Sequence, residues 1–320
     1  MIINNNIAEE TEHKKTVIYI AFGYEYLLMA LYSAQSLVRY NPKVETVVVS
    51  NVNPVWMPGL NDYTGSYRYL YMDEEKTANR KYKLSVNKLT EAEKVIYLDC
   101  DTEVAGSLEP LWQALDWAEI MAFPLLTPPF IDTLPDKINR SMKVSYYNGG
   151  VVAFRNNERV KLFFNNWLQN YERTGISADQ PTLAYTLNQS DLCFKPLSIW
   201  YNYLYGKKYK QMLKQKDLEK VVVHHYLHPH YAPDVPARLL RIHENIKDSL
   251  NSNCPDWFKQ EVELFGPTYR YRSVNLKVPD KLKFYPLLRL LNRIVKAYYE
   301  KRYGKGRELS RKKERKRLGQ

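Results

Sequence analysis

No stretch of the 320 residues reaches eighteen consecutive apolar side chains, so the sequence offers no candidate for a membrane-spanning helix. The polar start "MIINNNIAEETEHKK" lacks the apolar segment of a secretory leader, and the expectation is a cytosolic chain. CxxC spacing is missing as well. Cys100, Cys193 and Cys254 are widely scattered, which argues against a disulfide framework or a zinc knuckle and reads as small buried hydrophobes. Internal repeats are absent. Across most of the chain there is also no excess of either charge. The formal +12 has its source between Lys281 and Gln320, where fifteen Lys and Arg face three Glu, leaving 32 basic and 32 acidic residues elsewhere. What is plentiful is tyrosine. With 27 Tyr and 6 Trp, the chain is rich in aromatic groups that carry a polar handle and suit sugar stacking, membrane interfaces or ordinary cores. Hydrophobic content of 45% and charged content of 26% are those of a globular protein, and the length suffices for a full core.

Short apolar runs alternate with helical patterns from Val17 to about Tyr231. "TVIYIAF" reads as a first strand. "YEYLLMALYSAQSLVRY" places Leu27, Leu28, Leu31, Ala34 and Leu37 at helical spacing before Asn41-Pro42 stops it. "VETVVVSN", "KVIYL", "AEIMAFP", "GGVVAFR" and "KVVVHHY" read as further strands, with "NNERVKLFFNNWLQNYERT" and "DQPTLAYTLNQ" as helices between the last three. Non-alternating strands separated by helices imply a mainly parallel sheet covered on both faces. Ligands of such folds sit at the carboxyl ends of strands. The Pro-rich stretch "LLTPPFIDTLPDKINRSMKVSYY", Leu125 to Tyr147, has the length of a functional loop.

The strand "KVIYL" runs straight into Asp99, Cys100, Asp101 and then Glu103. If the extended geometry continues, the three acids at two-residue spacing share a face. Carboxylates projecting together repel unless a cation lies between them, and a hard divalent ion would bridge them to phosphate oxygens. A solvated strand end or a helix N-cap is the alternative, and for Glu103 a structural role is preferred. Four of the six histidines fall in "HHYLHPH". His224 and His225 alternate on a strand, so one of them, rather than both, can join Asp99 and Asp101, and a core histidine without metal is the other reading. Asp179 before Gln180-Pro181 has the form of a helix cap, which does not exclude facing a ligand. Gly149-Gly150 marks close backbone packing or a pocket that needs backbone approach.

"VIYLDCDTEV" resembles the DxD element of GT-A fold glycosyltransferases, specifically the family 8 type that uses nucleotide sugars, and further segments follow in that family's order over roughly Val17 to Tyr231. "AFGYEYLLMALYSAQSL" is similar to its first strand and helix, placing Ala21, Phe22 and Tyr26 at the nucleotide. "NRKYKL" resembles the basic stretch before the DxD strand, placing Arg80 and Lys83 near the ribose and diphosphate, with Asp99, Cys100 and Asp101 following. "YNGGVVAFR" resembles the sugar-pocket segment through Asn148, Gly149 and Gly150, "ADQPTLAYTL" the Asp-Gln helix start through Asp179 and Gln180, and "VVVHHY" the late strand whose His completes the metal site. Tyr226 after His225 matches the family and favours His225 over His224. The family's following Gly and Lys are missing, with His228, His230 or Arg238 as substitutes.

The resemblance implies a Rossmann-like, mainly parallel mixed α/β sheet over residues 16–245, after a polar segment 1–15 and before a helical extension 246–320 with a basic tail. It also implies Mn²⁺ or Mg²⁺ held by Asp99, Asp101 and His225, a UDP-sugar as donor, a glycan or glycolipid hydroxyl as acceptor, and a retaining course oriented by Asn148, Asp179 and Gln180. For the tail, Leu287, Leu291, Ile294 and Tyr298 share a helical face with the basic residues, which suits an anionic membrane at the inner face of the cell. Nucleic acid, the less favoured partner, or plain solvation would suit the charge as well. Two rivals remain: a nucleotidyltransferase, which should show a Gly-rich loop where "AFGYEY" has one glycine, and a non-catalytic protein that docks through its tail.

Overall fold

The computed structural model describes residues 15–60, 67–125, 146–175, 178–205, 213, 215–226 and 235–265. The chain divides into two compact units, one of Met1–Pro54 with Leu60–Leu227 and one of Val55–Gly59 with His228–Gln320. No helix among the described residues is long and apolar enough to cross a membrane.

The first unit is built on a sheet whose central strands are buried on both faces. Lys15–Ile20 (β1) leads into the helix Tyr24–Tyr40 (α1), whose Leu27, Leu28, Leu31, Ala34 and Leu37 are buried. The helix stops at Asn41, where the backbone N–H returns to Leu37 O, because Pro42 cannot continue it. Glu45–Ser50 (β2) and Arg68–Tyr71 (β3) follow, then the short helix Asn79–Lys83 (α2) and Lys94–Leu98 (β4). Beyond a turn come Thr102–Val104 (β5), Glu109–Ala114 (α3), Ile120–Leu125 (β6) and Tyr146–Arg155 (β7). Glu158–Thr174 (α4) starts where the Asn157 side chain caps Val160 N–H, as its polar side chain and extended backbone favour. Gln180–Asn188 (α5), Phe194–Pro196 (β8), Tyr203–Leu204 (β9) and Val223–His225 (β10) complete the unit.

Seven strands form the main sheet in the order β3-β2-β1-β4-β7-β6-β8, and β5-β10-β9 form a small second sheet. Pairings β1–β2, β1–β4, β2–β3 and β6–β8 are parallel, whereas β7 runs antiparallel to both β4 and β6. The sheet is therefore mostly parallel, as the sequence implies, with one reversed strand. That reversal matters for the site: Leu98 at the end of β4 pairs with Val151, so the start of β7 lies beside the residues that follow β4. Strand order reverses direction across β1 and β4, the place where open α/β sheets leave a crevice. Ile18, Val49, Val95, Val152 and Phe154 form the core with Phe163, Phe164 and Trp167 of α4.

In the second unit, Val235–Lys247 (α6) and residues 256–265 are helical. Leu239, Ile242, Ile246, Phe258 and Val262 are buried, and Trp56 packs on Trp257 and Phe258. The basic tail, with the helix expected around Leu287 to Tyr298, lies outside the described residues.

Candidate functional site

The carboxyl ends of β1 and β4, the start of β7 and the small sheet meet at one place. After β1, Ala21 donates its N–H to Val49 O at 2.7 Å, and Ser50 Oγ donates to Ala21 O at 2.6 Å. Gly23 then takes φ 89°, a left-handed value suited to glycine, and donates to Asn51 Oδ1 at 2.7 Å. Ala21 and Phe22 are fully buried, the Phe22 ring lying 5.1 Å from that of Tyr82, so they form the floor of the crevice. Tyr26, in the first turn of α1, is half-buried.

Past Leu98 the chain does not stay extended. It turns through Asp99 to Asp101 before β5 begins, with Asp99 N–H donating to Gly150 O at 2.7 Å and Thr102 Oγ1 to Asp99 O at 2.8 Å. This turn separates the three acids. Glu103 points away and accepts a hydrogen bond from Tyr226 Oη. The Cys100 thiol, pushed well up by burial and by the neighbouring Asp99 and Asp101, donates back to Ile20 O at 3.2 Å. Asp99 and Asp101 remain together and meet His225 from β10. His225 Nε2 lies 3.3 Å from Asp101 Oδ1 and 3.8 Å from Asp99 Oδ2, and one ligand atom from each residue lies within 4.8 Å of the others.

His224 occupies the other face of β10, its Nδ1 at 2.9 Å from Tyr205 Oη. Pairing explains the split: His225 is opposite Thr102 and His224 opposite Glu103, and successive side chains point to opposite faces. Burial disfavours the charged His225 ring, but Asp101 and then Asp99 outweigh it and its pKa is raised. Asp101 shows the converse: burial would raise it, and His225 holds it below the usual carboxylate range.

The residues fit a divalent ion. Two carboxylates and an imidazole are the oxygen and nitrogen donors such an ion takes. His225 is 2% exposed and its Nδ1 is engaged by Asn202 Oδ1 at 2.9 Å, which leaves Nε2 toward the aspartates. Gly150 keeps the cradle open, since a Cβ there would fall 2.1 Å from His225 Cε1 and 2.8 Å from Asp99 Oδ2.

A second charged group adjoins the first. Lys83, in α2, places Nζ 3.1 Å from Asp99 Oδ1 and 2.9 Å from Asp179 Oδ2, while Arg80 Nη1 lies 2.6 Å from Asp179 Oδ1. Their three-residue spacing puts both cations on one helix face. Asp179 occupies the N-cap position of α5, yet its side chain makes no capping bond. It reaches the two cations instead, which hold its pKa down against burial. Lys83, although buried, is raised by Asp179 and Asp99. Gln180 opens α5 half-buried. A Cβ on Gly149 would lie 3.3 Å from Asp179 Oδ2, so this glycine adjoins the Lys83–Asp179 pair as Gly150 adjoins the His225–Asp99 pair.

Two partners escaped the sequence reading. Tyr97 Oη donates to Asp99 Oδ1, and strand alternation could have shown this, since Tyr97 and Asp99 are two apart. Asn202, in "IWYNYLY", carried no signal. His228 and His230 lie outside the described residues, and Arg238 lies in α6 of the second unit.

The family model described as glycosyl transferase family 8 matches residues 17–230. No curated protein matches the chain in sequence. Among solved structures, an active-site mutant of LgtC is similar with TM-score 0.53, at 17% identity over 77% of this chain and 99% of that one. The galactosyltransferase LgtC in complex with donor and acceptor sugar analogs gives TM-score 0.50 at 19% identity, with the same coverage. The bifunctional glycosyltransferase WbbM gives 0.54 at 16% identity over 81% of this chain and 52% of that one. At these identities the likeness to the solved structures is one of fold.

Proposed function

The chain belongs to glycosyl transferase family 8 and is a nucleotide-sugar glycosyltransferase, and from that premise we infer a metal-dependent transfer of sugar from a UDP-sugar to an acceptor hydroxyl, with retention. The observation that carries this reading is the convergence of Asp99, Asp101 and His225 at the carboxyl end of β4, beside the Arg80–Asp179–Lys83 group.

Asp99, Asp101 and His225 would hold Mn²⁺ or Mg²⁺, which when bound supplies a Lewis acid for the departing nucleoside diphosphate. The floor of Ala21 and Phe22, with Tyr26 at its rim, receives the nucleotide. Departure of a diphosphate is the costly event, and fixed positive charge aimed at it is the largest lever available to the protein. Lys83 and Arg80 supply that charge, and their pairing with Asp179 fixes where it sits. Asp179 and Gln180 orient the sugar. A carboxylate held by two cations is a poor nucleophile, which favours a retaining, front-face course over a covalent intermediate on Asp179.

The acceptor is a glycan or glycolipid, and the LgtC complex with donor and acceptor sugar analogs supports a sugar in that role. The basic residues after Lys281 bind an anionic membrane surface and bring the enzyme to it. The test is a panel of nucleotide sugars, assayed for slow donor hydrolysis with Mn²⁺ and with EDTA. Hydrolysis of one UDP-sugar only with metal is expected. Turnover that EDTA leaves intact, or of no nucleotide sugar at all, would overturn the reading.

A further inference from the structure

Asn202 is fully buried one residue before β9, next to Asn148, which is 3% exposed. Its Oδ1 lies 2.9 Å from His225 Nδ1, and its Nδ2 lies 2.9 Å from Asn148 Oδ1. An amide alone leaves oxygen and nitrogen interchangeable, and an imidazole alone leaves its tautomer open. Here a backbone group removes both freedoms. Gly150 N–H is directed at Asn148 at 2.8 Å, and a backbone N–H can only donate. The Asn148 atom it meets is therefore the oxygen. Asn202 must then offer its NH₂ to that oxygen and its own oxygen to the ring. His225 Nδ1 must carry a hydrogen, and when the ring is neutral the lone pair is on Nε2, the nitrogen nearest Asp101 and Asp99. Gly150 also accepts from Asp99 N–H through its carbonyl at 2.7 Å. One glycine thus anchors the backbone of Asp99 by its carbonyl and, through Asn148 and Asn202, the His225 ring by its N–H.

We infer that Gly150 N–H, Asn148 and Asn202 form a relay that fixes His225 as the Nδ1–H tautomer, making Asn148 and Asn202 positioning residues for the divalent ion. The inference rests on the metal reading above. It gives Asn148 a different duty from orienting sugar, because its oxygen is already shared by two donors. Only an amide serves at Asn202, where one end must donate and the other accept. Leucine has a similar volume and does neither. Every other arrangement leaves two donors or two acceptors facing each other in a buried site, and unmet buried polar groups are costly.

The test compares wild type, Asn202→Leu, Asn148→Leu and the double variant in the full chain. Titration with MnCl₂ alone, followed by calorimetry, should show each single variant weakened by about 10- to 100-fold, the range for residues that orient a metal-bound histidine. The double variant should be no weaker than the poorer single one, because links of one relay are lost together. Asn202→Gln, which keeps both functions of the amide, should recover part of the affinity. In metal-free protein at alkaline pH, ¹⁵N resonances should report Nδ1–H at His225 in wild type and a shift toward the other tautomer in the leucine variants. That readout does not depend on metal, so wild type that binds no Mn²⁺ overturns the metal reading while the resonances still decide the relay. Nε2–H in wild type, folded leucine variants with unchanged affinity, additive losses, or an Asn148→Leu that weakens only UDP-sugar binding would each overturn it.

Discussion

Gly150→Ala should cost the protein its divalent ion while leaving the fold in place. A Cβ at this position would lie 2.1 Å from His225 Cε1, 2.7 Å from Nδ1 and 2.8 Å from Asp99 Oδ2. Carbon atoms rest at about 3.5–4.0 Å, so the ring would have to retreat by about 1.5 Å, against its hydrogen bond to Asn202. Functional sites tolerate displacements of about 0.5 Å. The overpacking itself should cost about 1–3 kcal/mol of stability. Moving a ligand should cost at least as much affinity as losing its support, about 100-fold. Gly149→Ala is the internal control. Its nearest contacts would be 3.3 Å to Asp179 Oδ2 and 3.4 Å to Lys83 Nζ, which a shift of a few tenths of an ångström relieves on a different pair of residues. Calorimetric titration with MnCl₂, run beside thermal denaturation of both variants, separates affinity from unfolding. A folded Gly150→Ala protein that binds Mn²⁺ like wild type would refute the geometry, as would equal losses in the two variants.

Lys83→Met should lower stability by about 1–3 kcal/mol, the cost of a lost charged hydrogen bond in a buried site, since Asp179, whose side chain is only 5% exposed, would lose one of its two cations and keep Arg80; an unchanged Tm would contradict this. Asp179 is held below its ordinary pKa by Lys83 and Arg80 despite burial. Its stabilising contribution is therefore complete above about pH 4, the unfolded value, and is lost as pH falls through the depressed folded value. Denaturant unfolding of Asp179→Asn should accordingly show a flatter acid limb than wild type, and a parallel limb would remove Asp179 from the account. Replacing the six Lys and Arg of residues 311–317 by Gln should abolish binding to phosphatidylserine vesicles, at about 1 kcal/mol per charge, and spare donor hydrolysis. Unchanged vesicle binding would remove the membrane role.

The parts of the fold that were legible are those whose own residues impose them. The spacing of Leu27, Leu28, Leu31, Ala34 and Leu37 and the Asn41-Pro42 stop define α1 over Tyr24–Tyr40, and "KVIYL" is β4 over Lys94–Leu98. The short edge strands β3, β8 and β9 were not legible. Each is two to four residues long, and edge pairing is supplied by a neighbour rather than by the strand's own pattern. β7 begins at Tyr146, before the expected Gly149, because Tyr146, Tyr147 and Asn148 pair with Leu125, Pro124 and Phe123 of β6. Asp99 and Asp101 were readable as a pair from their place after an apolar strand. Glu103 was readable as structural, as its hydrogen bond from Tyr226 bears out, but the turn at Asp99–Asp101 that separates it from the pair was not. Asn202 was illegible for a deeper reason: an amide acquires meaning only from what faces it, here a histidine and an asparagine 23 and 54 residues away.

The most direct test of the central claim is Asp101→Ala, assayed for hydrolysis of the UDP-sugar that wild type accepts, with MnCl₂ varied and circular dichroism recorded on the same sample. Asp101 lies 3.3 Å from His225 Nε2, and its removal should take metal-dependent hydrolysis to background while the fold persists. A folded Asp101→Ala protein with wild-type activity and wild-type dependence on Mn²⁺ would contradict the account.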